Sequence, residues 1–309
     1  MTAGSQKILV IKLSALGDFI QAMGPCAAIR RAHHGAPITL LTTEPYAEFA
    51  RLSGYFDDIW IDRRPHWWQV RAWLALRRRL NDGAFVRVYD LQTSDRSSFY
   101  FRLFRRPKPE WSGIAAGCSL RHTNSQRDSL HTIERQREQL AMAGIDAVPL
   151  PNFDWIEGGA SAFELPNCFV MLVPGGSSGR PGKRWKVSGY IDLMVRLSAK
   201  GTTPVLIGAD DETERNAEIA RHCPKAIDLT GQTSITALAR LARVASGAVG
   251  NDNGPMHLIA AAGCPSLVLY SYESNPALCA QRGPDVEILR RENLDTLATD
   301  EVEAAMRLR

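Results

Sequence analysis

Short apolar runs alternate with longer amphipathic segments along the first third of the chain. Runs of strand length lie at residues 7–12, 38–42, 58–61 and 86–91, and apolar residues with helical spacing lie at 19–33, 46–53 and 67–80. Short apolar runs of this kind are typical of buried strands, and amphipathic helices cover such strands. The alternation therefore predicts a parallel sheet with helices on both sides.

The same alternation returns in the second half, after a break. Residues 105–135 show little periodicity, and the stretch 149–159 has the proline and glycine content of a linker. We then predict strands at 169–173, 204–207, 226–229, 247–249 and 266–270, and helices at 188–200, 212–222, 235–245, 255–262 and 300–308. The prediction is an α/β protein with two Rossmann-like doubly wound domains, residues 1–157 and 158–309. Facing one another, they would form a ligand cleft at the carboxyl ends of their strands.

The composition is that of a globular protein, with 45% apolar and 23% charged residues among 309. No apolar run approaches the length of a signal-peptide core or a membrane span, so we expect a soluble protein. Six cysteines are scattered without a CxxC pair, which favours free thiols in the cytoplasm. The net charge of +4 arises in the first half, whose cations are mostly arginines. The guanidinium group of arginine is suited to binding phosphate and carboxylate.

Each half has one turn with candidate chemistry directly after its first strand. In the segment 12–18, a strand ends in a small-residue turn and Asp18 stands at a helix start, where it either caps the helix or acts on a ligand. The segment 174–185 combines glycines with the hydroxyls of Ser177 and Ser178 and with Lys183, which are the components of a phosphate-binding loop. It is not a Walker A loop, because Arg184 follows the Gly-Lys pair.

Two further turns follow later strands of the second half. Glu212 closes the segment 208–212, where a carboxylate either binds ribose hydroxyls or complements a helix dipole. In the segment 250–257, Asp252, Asn253 and Gly254 present backbone amides at a helix start, and His257 lies one turn further on, where it either reaches a ligand or packs in the core.

Three of these segments, 12–18, 174–185 and 252–257, resemble glycosyltransferase family 9, the ADP-heptose:lipopolysaccharide heptosyltransferases, in sequence, order and spacing. The resemblance implies a GT-B fold in which the C-terminal domain holds a nucleotide-sugar and the N-terminal domain holds the acceptor. It also implies a last helix that crosses back to the first domain, inversion at the anomeric carbon, and no cofactor or bound metal. The segment 270–276 departs from the family pattern near the donor sugar, so the sugar is left open.

The resemblance assigns roles to individual residues. It implies that Asp18 is the general base and that Ser14 and Gly17 belong to the same acceptor-side turn. It implies that the donor, ADP-heptose in the family, is bound by residues of the second half. These are Ser177, Ser178 and Lys183 at the phosphates, Glu212 at the ribose, and Asp252, Asn253, Gly254 and His257 in the donor turn.

An arginine-rich stretch of the first half adds an expectation about the acceptor. Arg63, Arg64, Arg105 and Arg106 flank a region that also holds Trp67 and Trp68. A basic face with exposed tryptophans favours an anionic glycolipid acceptor and peripheral contact with the cytoplasmic membrane. A transferase for another nucleotide-sugar, a nucleotide-sugar epimerase and a non-catalytic nucleotide-sugar or RNA-binding protein are the alternatives. We expect no nucleic-acid partner, because proteins that bind RNA typically carry aromatic residues on an open sheet.

Overall fold

The computed structural model describes residues 6–157, 163–177 and 179–309. The chain divides into two units, Met1–Pro151 and Asn152–Arg309. In the described residues no helix is long and apolar enough to cross a membrane.

The first unit is a six-stranded parallel sheet with helices between its strands. The sheet order is β3-β2-β1-β4-β5-β6. The strands are β1 Lys7–Ile11, β2 Ile38–Thr42, β3 Asp58–Ile61, β4 Phe85–Asp90, β5 Glu110–Gly113 and β6 Leu120–Arg121. The helices are α1 Leu16–Ala32, α2 Glu44–Leu52, α3 Val70–Asp82, α4 Asp95–Leu103 and α5 Thr132–Ala141.

The second unit repeats this plan. Its sheet order is β12-β11-β10-β7-β8-β9, again with every neighbouring pair parallel. The strands are β7 Phe169–Val173, β8 Thr203–Leu206, β9 Ile227–Asp228, β10 Gly247–Asn251, β11 Ser266–Tyr270 and β12 Val286–Arg290. The helices are α6 Val187–Ala199, α7 Thr213–Ala220, α8 Ile235–Val244, α9 Gly254–Ala261, α10 Pro276–Cys279 and α11 Thr299–Ala305.

Both sheets confirm the doubly wound prediction. A strand covered by helices on both faces has a continuous apolar sequence rather than an alternating one. The central strand β7 shows this, since all five of its residues are buried. In each sheet the strand order reverses beside the first strand of the unit, so the turns after β1 and β4, and after β7 and β10, adjoin the switch point where ligands bind in such folds.

The observed division lies before the predicted boundary between residues 157 and 158. The reason is that the segment after Pro151 is tied to α8 of the second unit. Arg240 donates to the carbonyl of Glu157 at 2.9 Å, and Arg243 donates to the carbonyl of Phe153 at 3.2 Å. Phe153 itself is buried.

The last helix, α11, packs on α6. Glu303 accepts hydrogen bonds from Arg196 at 3.2 Å and from Lys200 at 2.7 Å, while Val302 is buried. These contacts join the helix to the second unit, and its crossing to the first domain stays a prediction.

Candidate functional site

The loop that follows β7 is held in place by one buried amide, Asn251 at the end of β10. Its Nδ2 donates to the carbonyls of Pro174 at 2.7 Å and Gly175 at 3.1 Å. Its Oδ1 accepts from the backbone N–H of Trp185 at 2.9 Å and from the hydroxyl of Tyr190 at 3.1 Å. One side chain therefore ties both ends of the predicted phosphate loop to the neighbouring strand, a role that the sequence analysis did not assign to Asn251.

Glu212 joins that loop to the turn after β8. Its Oε1 accepts from the N–H of Gly176 at 2.8 Å, and its Oε2 accepts from the N–H of Ala209 at 3.0 Å. A Cβ at position 175 would lie 1.7 Å from Oε1, so only glycine allows this approach. Each carboxylate oxygen has a second lone pair, which leaves Glu212 able to accept a ligand hydroxyl as well.

Lys183 and Asp252 form an ion pair at the carboxyl end of the sheet. Their side chains are 12% and 6% exposed, and Nζ lies 2.6 Å from Oδ2. Asp252 also accepts from the hydroxyl of Ser274 at 2.5 Å and from Nε2 of Gln281 at 3.1 Å. Burial acts to raise the pKa of Asp252, but the hydrogen bonds from Lys183 and Ser274 outweigh it and hold this pKa below its usual value. Ser274 and Gln281 are site residues that the sequence analysis missed.

The start of α9 completes this side of the site. Asn253 caps the helix, because its Oδ1 accepts from the N–H of Met256 at 3.1 Å, and its Nδ2 donates to the carbonyl of Gly175 at 3.0 Å. Gly254 is the first helical residue, and His257 is buried within the helix. The helix dipole and the amides of the first turn favour an anion at this end. Ser177 is exposed on the facing loop, whereas Ser178 lies outside the described residues.

In the first unit, the turn after β1 carries Ser14, Gly17 and Asp18. The side-chain oxygen of Gln92, which follows β4, accepts from the N–H groups of Leu13 at 2.8 Å and Ser14 at 3.1 Å, and so fixes this turn. Asp18 is exposed in the first turn of α1, where Ala15 rather than Asp18 is the N-cap. The interpretation of Asp18 as a capping residue therefore does not hold.

A cavity of about 170 Å³ lies beside this turn, within the first unit. It is lined by one exposed carboxylate and three cations, together with uncharged residues. The charged residues are Asp18, Lys12, Arg127 and Arg135. In the described part of the chain, the Nε atoms of Arg127 and Arg135 are buried without a hydrogen-bond acceptor. Burial lowers the pKa of Lys12, and the charges of Asp18 and Asp90 oppose this effect. Exposed Asp128 lies 3.3 Å from Arg127 and 4.0 Å from Arg135, but the lining itself holds three cations against one carboxylate. This balance of charge and the unused donors suit an anionic ligand.

The four arginines predicted for the acceptor side do not share one end of the sheet. Arg63 and Arg64 are exposed just after β3, at the carboxyl end, where Asp18 also lies. Arg105 and Arg106 are exposed on the connection that enters β5, which is the amino end, because all strands run in parallel. Sequence proximity suggested a single basic face, but the direction of the strands separates it into two.

Arg127 and Arg135 were not predicted as site residues, because they belong to the stretch without periodicity. The structure forms β5, β6 and α5 there, and α5 places Arg135 at the cavity. Among the described residues, no group of three or more His, Cys, Asp or Glu side chains is arranged to hold a metal. The expectation that the reaction needs no metal stays a prediction.

Two Rossmann-like units in one chain, each with polar turns at the carboxyl ends of its strands, make up a GT-B fold. The family model described as glycosyltransferase family 9 (heptosyltransferase) matches residues 73–302. The chain belongs to glycosyltransferase family 9.

Individual relatives agree with this assignment. Lipooligosaccharide heptosyltransferase 2 of Haemophilus influenzae is 30% identical over 106 residues, which are 33% of this chain and 30% of the relative's length. The structure of E. coli ADP-heptose lps heptosyltransferase II matches with a TM-score of 0.80, 20% identity and 97% coverage of both chains. E. coli heptosyltransferase WaaC with ADP-2-deoxy-2-fluoro heptose matches with a TM-score of 0.77 and 20% identity, over 96% of this chain and 98% of that one.

Proposed function

We propose that the chain transfers a heptose-like sugar from an ADP-sugar to a lipopolysaccharide inner-core-type acceptor, with inversion at the anomeric carbon. The observation that carries this proposal is the cluster around Lys183 and the start of α9, which suits the diphosphate of a nucleotide-sugar. Family membership and the ADP-heptose named for the structural relatives support the choice of donor.

The donor side supplies positive charge where the reaction needs it. As the bond to the anomeric carbon breaks, charge develops on the departing ADP, and preorganised donors stabilise that charge. Lys183, the hydroxyls of Ser177 and Ser178, and the amides at Gly254 provide such donors. Glu212, on the adjacent turn, accepts from the ribose hydroxyls.

The acceptor side supplies a base and an anion site. The attacking hydroxyl loses its proton as it bonds to the anomeric carbon, and Asp18 accepts that proton, a contribution of about a hundredfold to ten-thousandfold. A single displacement of this kind inverts the anomeric configuration. Lys12, Arg127 and Arg135 bind a carboxylate or phosphate of the acceptor and so place its hydroxyl near Asp18.

We also propose that α3 contacts the membrane that carries the acceptor lipid. In this helix and the residues before it, Trp67 is 81% exposed, Trp68 58% and Leu74 55%, while the neighbouring Arg71 and Arg78 are exposed as well. An apolar surface beside arginines is suited to the interface of an anionic bilayer. Binding to vesicles with anionic lipid should weaken with salt and with Trp67→Ala, and salt-independent binding would contradict this assignment.

The central experiment measures transfer and donor binding on the same variant. Asp18→Asn should lose most of its turnover, because the base is removed, while ADP-heptose binding by calorimetry changes little. Glu48→Gln, an exposed acid on α2, is the matched control and should behave as wild type. Near-wild-type turnover of Asp18→Asn would refute the role of Asp18. Release of a free sugar inverted at C2, in place of a glycosylated acceptor, would identify an epimerase.

A further inference from the structure

A buried carboxylate oxygen without a hydrogen bond lies beside the donor loop. Glu273 follows β11, and within the described residues its Oε2 is buried and accepts no hydrogen bond. Its Oε1 lies against Gly182, since a Cβ built on that glycine would be 2.8 Å from it. The next residue in the loop is Lys183, whose ion pair is with Asp252 rather than with Glu273. A buried acceptor without a donor costs free energy unless a ligand or an ordered water molecule supplies the hydrogen.

The backbone around Glu273 is fixed by the same network that holds Lys183. Ser274 donates to Asp252 at 2.5 Å, and the N–H of Glu273 donates to the hydroxyl of Ser271 at 3.3 Å. The carboxylate is therefore held beside the diphosphate site by its neighbours, and among the described residues its Oε2 has no hydrogen-bond partner. A carboxylate repels phosphate and accepts hydrogen bonds, so it suits a hydrogen donor from another part of the donor molecule.

The order of strands indicates which part of the donor this is. Along the carboxyl edge of the second sheet the order is β11, β10, β7, β8. Glu212, on the turn after β8, lies on one side of the loop and helix start that suit the diphosphate, and Glu273, after β11, lies on the other. Three strand spacings, about 14 Å, separate the two strand positions. A nucleoside diphosphate sugar has the same order of groups, with ribose hydroxyls at one end and sugar hydroxyls at the other.

We propose that Glu273 accepts hydrogen bonds from hydroxyls of the donor sugar and so distinguishes the sugar nucleotide from the free nucleoside diphosphate. This inference rests on the proposed function, because it takes the ligand of the second unit to be a nucleotide-sugar. It places the determinant of sugar recognition in the segment 270–276, next to the network of Asp252.

The test compares each sugar nucleotide with its own nucleoside diphosphate. Wild type, Glu273→Gln and the exposed control Glu214→Gln of α7 are titrated by calorimetry with ADP-heptose and ADP, and with UDP- and GDP-sugars and their diphosphates. Glu273→Gln should bind ADP-heptose about ten- to a hundredfold more weakly, the range for a hydrogen bond to a charged group. It should bind ADP as tightly as wild type or more tightly, because the repulsion of the diphosphate is reduced. Glu214→Gln should change neither.

A purely structural role of Glu273 predicts a different pattern of affinities. If Glu273 served the fold, Glu273→Gln would lower the melting temperature and weaken ADP and ADP-heptose alike, and that result would overturn the inference. The inference would also be overturned if Glu273→Gln kept the wild-type ratio of its affinities for ADP-heptose and ADP. Another outcome is that the substitution lowers the affinity for a sugar nucleotide relative to its diphosphate only for a sugar nucleotide other than ADP-heptose. In that case the inference stands and the proposed donor is wrong. If wild type binds none of the pairs, both are wrong.

Discussion

The ion pair of Lys183 with Asp252 leads to a prediction in which stability and ligand binding change in opposite directions. Both side chains are largely buried, and Asp252 accepts hydrogen bonds from Lys183, Ser274 and Gln281. The substitution Asp252→Asn preserves the volume but removes the negative charge. It leaves the Lys183 ammonium buried without a counter-ion and turns an amide donor toward the donors of Lys183 and Ser274.

The magnitude follows from the burial of the pair. Removing one partner of a buried ion pair costs about 3–5 kcal/mol, and we expect a loss of about 3 kcal/mol, because Lys183 keeps 12% of its exposure. ADP supplies a replacement counter-charge, so the variant should bind ADP at least as tightly as wild type. Lys183→Ala should instead weaken ADP binding about tenfold or more, because it removes a charge-assisted hydrogen bond.

The assay combines urea unfolding with calorimetric titration of ADP. The free energy of unfolding is measured for wild type, Asp252→Asn, Lys183→Met and the double variant. The double variant should be more stable than Asp252→Asn alone, because no buried charge is left unpaired. The reasoning fails if Asp252→Asn costs less than about 1 kcal/mol, the scale of a surface pair. It also fails if this variant weakens ADP binding as much as Lys183→Ala does, since Asp252 would then contribute to the ligand site itself.

Three further predictions concern the first unit. Burial raises the pKa of Asp90 to about 6, so the contribution of Asp90 to stability falls as the pH rises from about 4 to 6. The non-titrating Asp90→Asn should therefore gain roughly 2–3 kcal/mol relative to wild type over that range in urea unfolding, and a constant difference would contradict this. Arg127→Ala and Arg135→Ala should each raise the acceptor KM about tenfold and leave the donor KM unchanged, and an unchanged acceptor KM would remove the cavity from the acceptor site. Charge reversal at Arg63 and Arg64 should raise the acceptor KM, whereas the same change at Arg105 and Arg106, at the opposite end of the sheet, should not; equal effects would support a single basic face.

Local patterns predicted nine of the twelve strands of the described residues, all but β5, β6 and β12, and they also predicted the turns that carry chemistry. A buried parallel strand is a continuous apolar run, and the polar residues that follow it lie by necessity at the carboxyl end of the sheet. The predicted segments 12–18, 174–185 and 208–212 therefore follow strands of the structure, and the segment 250–257 begins in the last two residues of β10. Short elements in the aperiodic stretch, such as the two-residue strand β6, were not predicted, because two residues carry no period.

Pairing between these turns was decided by the tertiary structure. Lys183 and Asp252 are separated by 69 positions, and Gln92 and Leu13 by 79. Nothing in either local segment specifies its partner, because hydrogen bonds at such separations depend on which strands become neighbours. Local sequence was enough to predict two doubly wound units, the family resemblance and the turns that hold the candidate chemistry. Only the folded sheets bring Asn251 to the donor loop, place Arg127 and Arg135 around the same cavity as Lys12, and bury the Oε2 atom of Glu273 beside the loop. Each of these arrangements joins residues that are brought together by the strand order.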